Sequence, residues 1–510
     1  MSRIALLPLD ERPVNTRYPA MLAAIAGAEV VLPPADAMGS GRAGADRDAV
    51  ARWLADIGPG CDGVVASAEF LAFGNLIRSR ISEGSAVDGI ARLGALEQLK
   101  HAGATVYAFG LVTRIPNAND CVEEPEYWGT YGTRFHQLSH VLHRLGAGAP
   151  EPDDARAARD LRATIPAEHL DDWLTRRLRN HALDLSLLDL AARGGVDLLL
   201  LTSDDTSTWG LSTRERVWIE EWAGFLPGPL EGRLLVHPGA DEVGSALVVR
   251  MVARSRGRVP RIHVEYALPE GADIVAPYED RPVRRTVEGQ VRACGGILAE
   301  SEGDADIALL VLPPSPRRTE FREDFAAAER EAREEAYRTA FGWAARTMER
   351  GLPVAIADVA YPNGSDPLAI EMLLARDAPF APMDLAAYGA WNTAGNTLGT
   401  TIAQAMCVWL GGGDPAAQRR FLAHRFLEDW GWQAVGRAVV RGENTRRYGH
   451  HDPDPESAAQ VSETVARAEQ ELSHRLASLS TAGIGRGLRI APGSVRLPWR
   501  RTFEIDFTLE

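Results

Sequence analysis

The chain has 510 residues, 45% apolar and 25% charged, with 70 acids against 55 bases and a formal net charge of −15. That balance argues against nucleic acid or an anionic membrane as the main partner, because both demand basic patches. Cys61, Cys121, Cys294 and Cys407 are scattered without a CxxC pair, so neither a disulfide framework nor a cysteine zinc site is indicated.

No apolar run reaches the ~18 residues of a membrane span. The start, MSRIALLPLDERP, lacks the long apolar core of a signal peptide. A reduced, cytoplasmic protein is expected.

Short β-type runs follow one another along the chain: IALLPL (4–9), EVVLP (29–33), GVVASA (63–68), TVYAFGLV (105–112) and DLLLLT (197–202). RLLVHP (233–238), IHVEYAL (262–268), IALLVL (307–312), VAIADV (354–359) and LAAYGAW (385–391) continue the series. They are apolar without strict alternation, as strands covered on both faces of a parallel sheet are. Amphipathic stretches separate them; in 89–103, Ile90, Leu93, Leu96 and Leu99 recur at helical spacing before Gly103. Strand then helix, repeated, predicts an α/β fold. Setting EVVLP and IHVEYAL aside as accessory leaves eight strands, the number for a (β/α)8-type barrel or a related parallel-sheet fold.

Three features break the rhythm. Residues 113–196 form a long insertion after the third strand, and His136, His140 and His143 within it fit an ordinary amphipathic helix. Residues 320–350 read as a charge-rich helix with Phe321, Phe325, Phe341 and Met348 as its buried stripe. From about 413 the strands give way to helices and a short β-type tail. The expected organisation is a barrel-like catalytic domain over 1–412 and a helical C-terminal region over 413–510, with no internal repeat.

The strand ends carry the chemistry. DERPVN offers Asp10, Glu11 and Arg12, EFLAFGN offers Glu69 and Asn75, and TRIPNAN offers Arg114. Asp204 and Asp205 end LLLLTS with Trp209 nearby, and His237 precedes Asp241 and Glu242. Asp358 and Asn363 follow VAIA, and Trp391, Asn392 and Asn396 close the series. In a parallel sheet these ends face one way, and ligands bind there. The acids at 204–205 and 241–242 could equally cap the helices that follow them. No GxGxxG, GxxxxGK[ST] or GxSxG follows a strand, so neither nucleotide binding nor a serine nucleophile has support.

PLDERPVN, AEFLAFGNLIRSR, TSDDTSTWGLSTRE, HPGADEVG, DVAYPNGSD, GAWNTAGNTLGT and LPWRRTFEIDF resemble, in order, the motifs of domain of unknown function family 4127, from residue 5 to the C-terminus. In layout, an acid pair at one strand end and an Asn-rich aromatic strand end later is similar to barrel glycosidases acting on N-acetylated sugars.

Neighbouring strand residues point to opposite sides, so Asp204 and Asp205 do not suit the two carboxyls that flank a glycosidic bond. Either one of them pairs with Asp241, Glu242 or Asp358, or both serve a substrate-assisted mechanism. In the latter Asp205 donates the proton and Asp204 orients the acetamido group, or the two roles are exchanged. The expected protein is a glycosidase-like, carbohydrate-active hydrolase acting on an N-acetylated or acidic sugar without a cofactor. Its catalytic residues would be Asp204, Asp205, Asp241 and Glu242. Asp10, Glu11, Arg12, Glu69, Asn75, Arg114, Trp209, Asp358, Asn363, Trp391, Asn392 and Asn396 would bind substrate, with Arg12 and Arg114 meeting an anionic group. The alternative places a divalent metal on Asp204, Asp205, His237, Asp241 and Asp358, giving a metal-dependent hydrolase, lyase or isomerase on a sugar or sugar acid. A third reading is a non-enzymatic carbohydrate-binding protein.

Overall fold

The computed structural model describes residues 2–321 and 323–510, with backbone alone for 323–328. The first sheet has β1 (Ser2–Leu7), β2 (Ala28–Val31), β3 (Gly63–Ser67), β4 (Val106–Val112), β5 (Leu198–Ser203) and β6 (Leu234–Pro238). The second has β7 (Arg261–Tyr266), β8 (Ile297–Leu298), β9 (Ile307–Leu312), β10 (Val354–Asp358) and β11 (Ala387–Gly389). Every pairing within the two sheets is parallel, and the antiparallel bridges among the described residues are isolated ones such as Ile490–Leu509 and Arg496–Asp506 in the tail.

The expected parallel α/β fold is present, but its strands form two open sheets and not one closed barrel. The orders are β2-β1-β3-β4-β5-β6 and β11-β10-β9-β7-β8. EVVLP and IHVEYAL, set aside to reach eight, are β2 and β7. β7 lies inside the second sheet, so strand counting joined two sets into one ring. Read from its other edge, the second sheet runs β8-β7-β9-β10-β11, the same order as β2-β1-β3-β4-β5. The chain thus contains a topological repeat that its sequence does not display.

The apolar runs are explained by burial on both faces. Leu198 and Leu200 enter one core cluster while Leu199 and Leu201 enter another. In β9, Ile307, Leu309 and Val311 face the first of these clusters, and Ala308, Leu310 and Leu312 face a third. That first cluster is shared by both sheets. It contains side chains of the helices Pro13–Ile25, Val243–Ser255, Val283–Ala293 and Ala394–Leu410, which lie between them.

The insertion holds the helices Trp128–Gly146, Asp154–Ala163 and Ala167–Ala192, with a small core around Trp128, Phe135 and Trp173. In the helix Glu323–Glu349, Phe341 is buried, Met348 is half-buried and Phe321 before it is exposed. The side chain of Phe325 lies outside the described residues. Among the described residues no helix is long and apolar enough to cross a membrane.

Beyond Leu410 the chain forms Pro415–Phe426, a π-helical segment Leu427–Gly436, Arg437–Tyr448 and Ala458–Thr481. Phe426, Trp432, Leu472 and Phe507 of this part share a cluster with the outer face of the second sheet. π-helical turns are rare and cluster at functional sites. This one is stitched to the strand ends: Asp429 accepts from the Ala390 N–H through its carboxylate at 2.7 Å and from Ser365 N–H through its carbonyl at 3.0 Å. Gly364 sits against it with φ 145°, where a Cβ would lie 3.0 Å from Ala434 N.

Candidate functional site

The C-terminal strand ends of both sheets, the insertion and the C-terminal tail converge on one cavity of about 460 Å³. Arg12, Arg80, Arg114, Glu123, Asp204, Asp205 and Asp241 line it from the first sheet and insertion. Tyr278, Glu320, Asn363 and Asn392 line it from the second sheet, and Arg437, Arg441, Arg501 and Phe503 from the C-terminal part.

The two adjacent acids are split by the backbone. Asp204 continues the ladder, its N–H donating to Val112 O at 3.1 Å. Asp205 then turns into the left-handed region at φ 38°, and Thr206 N–H donates to Tyr278 O at 2.9 Å, which ties the turn to the second sheet. Each acid has its own arginine: Arg80 donates to Asp204 at 2.5 Å and Arg114 to Asp205 at 3.0 Å. Glu123 accepts from both arginines, at 2.8 and 3.0 Å, and also from Arg501. These guanidinium groups offset part of the mutual repulsion of the two acids. Burial, then the Asp205 charge, raises the Asp204 carboxyl above its ordinary range against the pull of Arg80 and Arg114. Burial opposes ionisation of Glu123, but Arg114, Arg501 and Arg80 hold it well below the usual carboxylate range. Burial pushes its neighbour Glu124 up to about 7.

Arg12 is the second hub. It is buried and donates to Asp10 and to Asp241, and to Glu504 at 2.7 Å, while its guanidinium stacks 4.4 Å from the Trp499 ring. Asp241 also accepts from Asn15 at 3.3 Å and Asn392 at 3.4 Å. Burial raises the Asp241 carboxyl, Arg12 opposes this, and Asp10 and Asp204 add to the rise. Asp241 and Asp204 are therefore close enough to feel each other's charge.

Backbone strain concentrates here. Asp205, Tyr278, Asn363 and Asn392 all have positive φ, at 38°, 65°, 63° and 65°, and all four line the cavity. Such conformations cost free energy and gather at sites of function. Asn363 N–H donates to Asn392 O at 3.0 Å, and Glu320 accepts from the Tyr278 hydroxyl at 2.9 Å and the Asn363 amide at 3.2 Å.

Of the residues expected from the strand ends, Arg12, Arg114, Asp204, Asp205, Asp241, Asn363 and Asn392 line the cavity. Asp10 lies beneath it, holding Arg12. Glu242 turns away to Gln290 at 2.6 Å and is pushed by burial up to about 7. Glu69 accepts from Leu111 N–H at 2.8 Å inside the first sheet, and Asn75 caps the helix Leu76–Ile81 by accepting from Arg78 N–H. Glu11 faces a neighbouring opening, bonded to Trp499 Nε1 at 2.7 Å. Asp358 accepts from Asp366 N–H at 2.7 Å and staples its own loop. Trp391 is buried behind Phe503, which takes the cavity-facing position, and Trp209 packs edge-on against His143 at 5.0 Å in the insertion. Asn396 sits in the first turn of its helix, its N–H on the Thr393 hydroxyl. His237 lines a separate groove, its Nδ1 on Pro238 O at 2.7 Å. Among the described residues no three or more acids, histidines or cysteines gather where they could hold a metal ion.

Glu123, Tyr278, Glu320, Arg437, Arg441, Arg501 and Phe503 also line the cavity, and none of them is marked by a strand end in the sequence. The one signal for the tail is the run LPWRRTFEIDF, whose two arginines, tryptophan and two acids are dense for a terminal segment.

The fold and site define a two-sheet parallel α/β protein with a charged, ligand-sized cavity between its strand ends. The chain belongs to the family described as protein of unknown function DUF4127, whose model matches residues 4–508. No curated protein and no solved structure matches it.

Proposed function

We propose that the protein is a carbohydrate-active hydrolase of glycosidase type, acting in this cavity on a small N-acetylated or acidic sugar. The observation that carries the reading is the unequal setting of two neighbouring carboxyls at the cavity wall. Both acids are paired with an arginine, Asp204 with Arg80 and Asp205 with Arg114, but the Asp204 side chain is 12% exposed, and burial raises its proton affinity, while the Asp205 side chain is 28% exposed. Carboxyls whose environments differ in this way divide the labour of acid catalysis. Asp204 is assigned as proton donor to the leaving oxygen, the second of the two orders the sequence leaves open, because it is the more desolvated of the two. Asp205, in the open position, supplies the negative charge that orients an acetamido N–H or stabilises the developing cation. Asp241, held by Arg12 and Asn392, is the second carboxyl for a mechanism that activates water. The Asn363 and Asn392 amides suit sugar hydroxyls, and Phe503 offers a ring face.

A panel of chromogenic aryl glycosides, N-acetylhexosaminides and uronides included, tests this between about pH 5 and 8 with and without EDTA. Release that survives EDTA supports it; silence from folded protein on every substrate overturns it. The matching strand order of two sheets around one cavity favours a second reading, a carbohydrate-binding protein, which requires saturable sugar binding without turnover.

A further inference from the structure

Six arginines line the cavity, and they are not equally engaged. Arg12 meets Asp10, Asp241 and Glu504; Arg80 meets Glu123, Glu124 and Asp204. Arg114 meets Glu123 and Asp205, and Arg501 meets Glu123 and Glu504. Each of those four faces two or three carboxylates, so its charge is already compensated, although the Nε of Arg80, Arg114 and Arg501 is buried without a partner, as that of Arg437 is. Arg441 has one acid, Asp452, at 3.3 Å. Arg437 has none among the described residues. Its one hydrogen bond goes to the Gln433 amide oxygen, a turn earlier, at 3.1 Å, and its Nε is buried without a partner.

An uncompensated guanidinium in a half-buried position is costly, and an anion placed beside it removes the cost. Burial, then the Arg441 charge, pulls the Arg437 guanidinium down to about 10. The side chain is also held in place: it stacks 4.9 Å from the Phe503 ring, and it follows directly on the π-helical segment stitched to the β10 and β11 ends. Arg437 and Arg441 stand where the cavity meets an adjoining groove of about 460 Å³, opposite Asn363. Two acids act on Arg437 from beyond ion-pair distance, and both are occupied: Asp452 by Arg441 and Thr502, and Glu320 by Tyr278 and Asn363.

We propose that Arg437, supported by Arg441 and facing Asn363, is an anion subsite, so that the substrate carries a carboxylate or phosphate group at the end that points to the C-terminal helices. This deepens the hydrolase reading and rests on the cavity being the substrate site. It moves anion recognition away from Arg12 and Arg114, which the acids of the fold already consume. The planar fork of a guanidinium matches either anion, and the more tightly bound probe tells which.

Calorimetric titration with D-glucuronate, inorganic phosphate and D-glucose tests it without requiring turnover. One of the two anions binds at least tenfold tighter than D-glucose to the wild type. Arg437→Gln weakens that anion at least tenfold and leaves D-glucose unchanged, while Arg437→Lys, which keeps the charge, retains part of the preference and guards against a folding defect. Anions binding no tighter than D-glucose, or an Arg437→Gln protein with wild-type anion affinity, overturns the subsite. The two claims fail separately. Hydrolysis of a uronide or phosphorylated glycoside that needs Asp204 but ignores Arg437 sinks the subsite alone, and anion binding that needs Arg437 without any hydrolysis sinks the hydrolase alone.

Discussion

The Arg12 guanidinium donates to Glu504 at 2.7 Å, joining the end of the first strand to the C-terminal tail across 492 positions of sequence. The same guanidinium neutralises Asp10 and Asp241, so one buried cation holds three carboxylates together at the cavity floor. Burial works against the Arg12 charge, yet the acids raise its pKa well above the ordinary value.

Removing that cation leaves buried acids unpaired. Arg12→Gln is expected to cost about 3–5 kcal/mol of stability at neutral pH, the usual penalty for breaking a buried ion pair from one side. The deficit shrinks as pH falls, because the raised carboxyls of Asp241 and Glu504 take up protons and stop repelling. Urea denaturation at about pH 5 and pH 8 checks both statements. Equal midpoints for variant and wild type at pH 8 would contradict them.

Glu279 gives a cleaner pH dependence. It accepts from Gly395 N–H at 2.8 Å through one oxygen, the other is buried without a partner, and burial pushes its pKa from 4.5 up to about 8. The folded protein therefore holds a proton that the unfolded chain has released over that interval. Stability from this group is full below about pH 4.5 and is lost as pH rises through about 8. Glu279→Gln keeps the acceptor and cannot ionise, so its melting temperature should gain on the wild type as pH rises across this window. A pH-independent difference between the two would refute the assignment.

Gly364 is required by position. Its φ of 145° is open to glycine and little else, and its Cα faces the π-helical segment. Gly364→Ala should cost about 1–3 kcal/mol in backbone strain. It should also weaken ligand binding, since Asn363 precedes it and Arg437 follows the segment it packs on. Chemical denaturation combined with the glucuronate titration reads both effects; unchanged stability would rule the strain out.

Much of the fold was legible because strands covered on both faces must be apolar throughout. The run LLLLT divides its leucines between two clusters, and nothing polar interrupts it. How such runs pair was not legible. RLLVHP and IHVEYAL read alike whether they neighbour each other in a ring or belong to separate sheets, so eight strands were counted where two sets lie. The cavity was partly legible, because Arg12, Asp204, Asp241 and Asn392 stand at strand ends that converge. A strand-end position does not say which way a side chain turns, and Glu242, one residue beyond Asp241, turns into the core toward Gln290. Arg437, Arg501 and Phe503 come from helix and tail, where charge and aromatics read as ordinary surface.

The most direct test of the account is the hydrolysis rate of Asp204→Asn against wild type, on whichever aryl glycoside the wild type cleaves, across about pH 5 to 8. General acid catalysis contributes about 10²–10⁴-fold, so kcat/KM should fall by at least about a hundredfold in a variant with wild-type stability. The wild-type rate should also decline as pH rises through the raised Asp204 pKa, a limb the variant lacks. A folded Asp204→Asn protein that keeps the wild-type rate and the wild-type pH profile would contradict the assignment of this cavity as an acid-catalysed hydrolytic site.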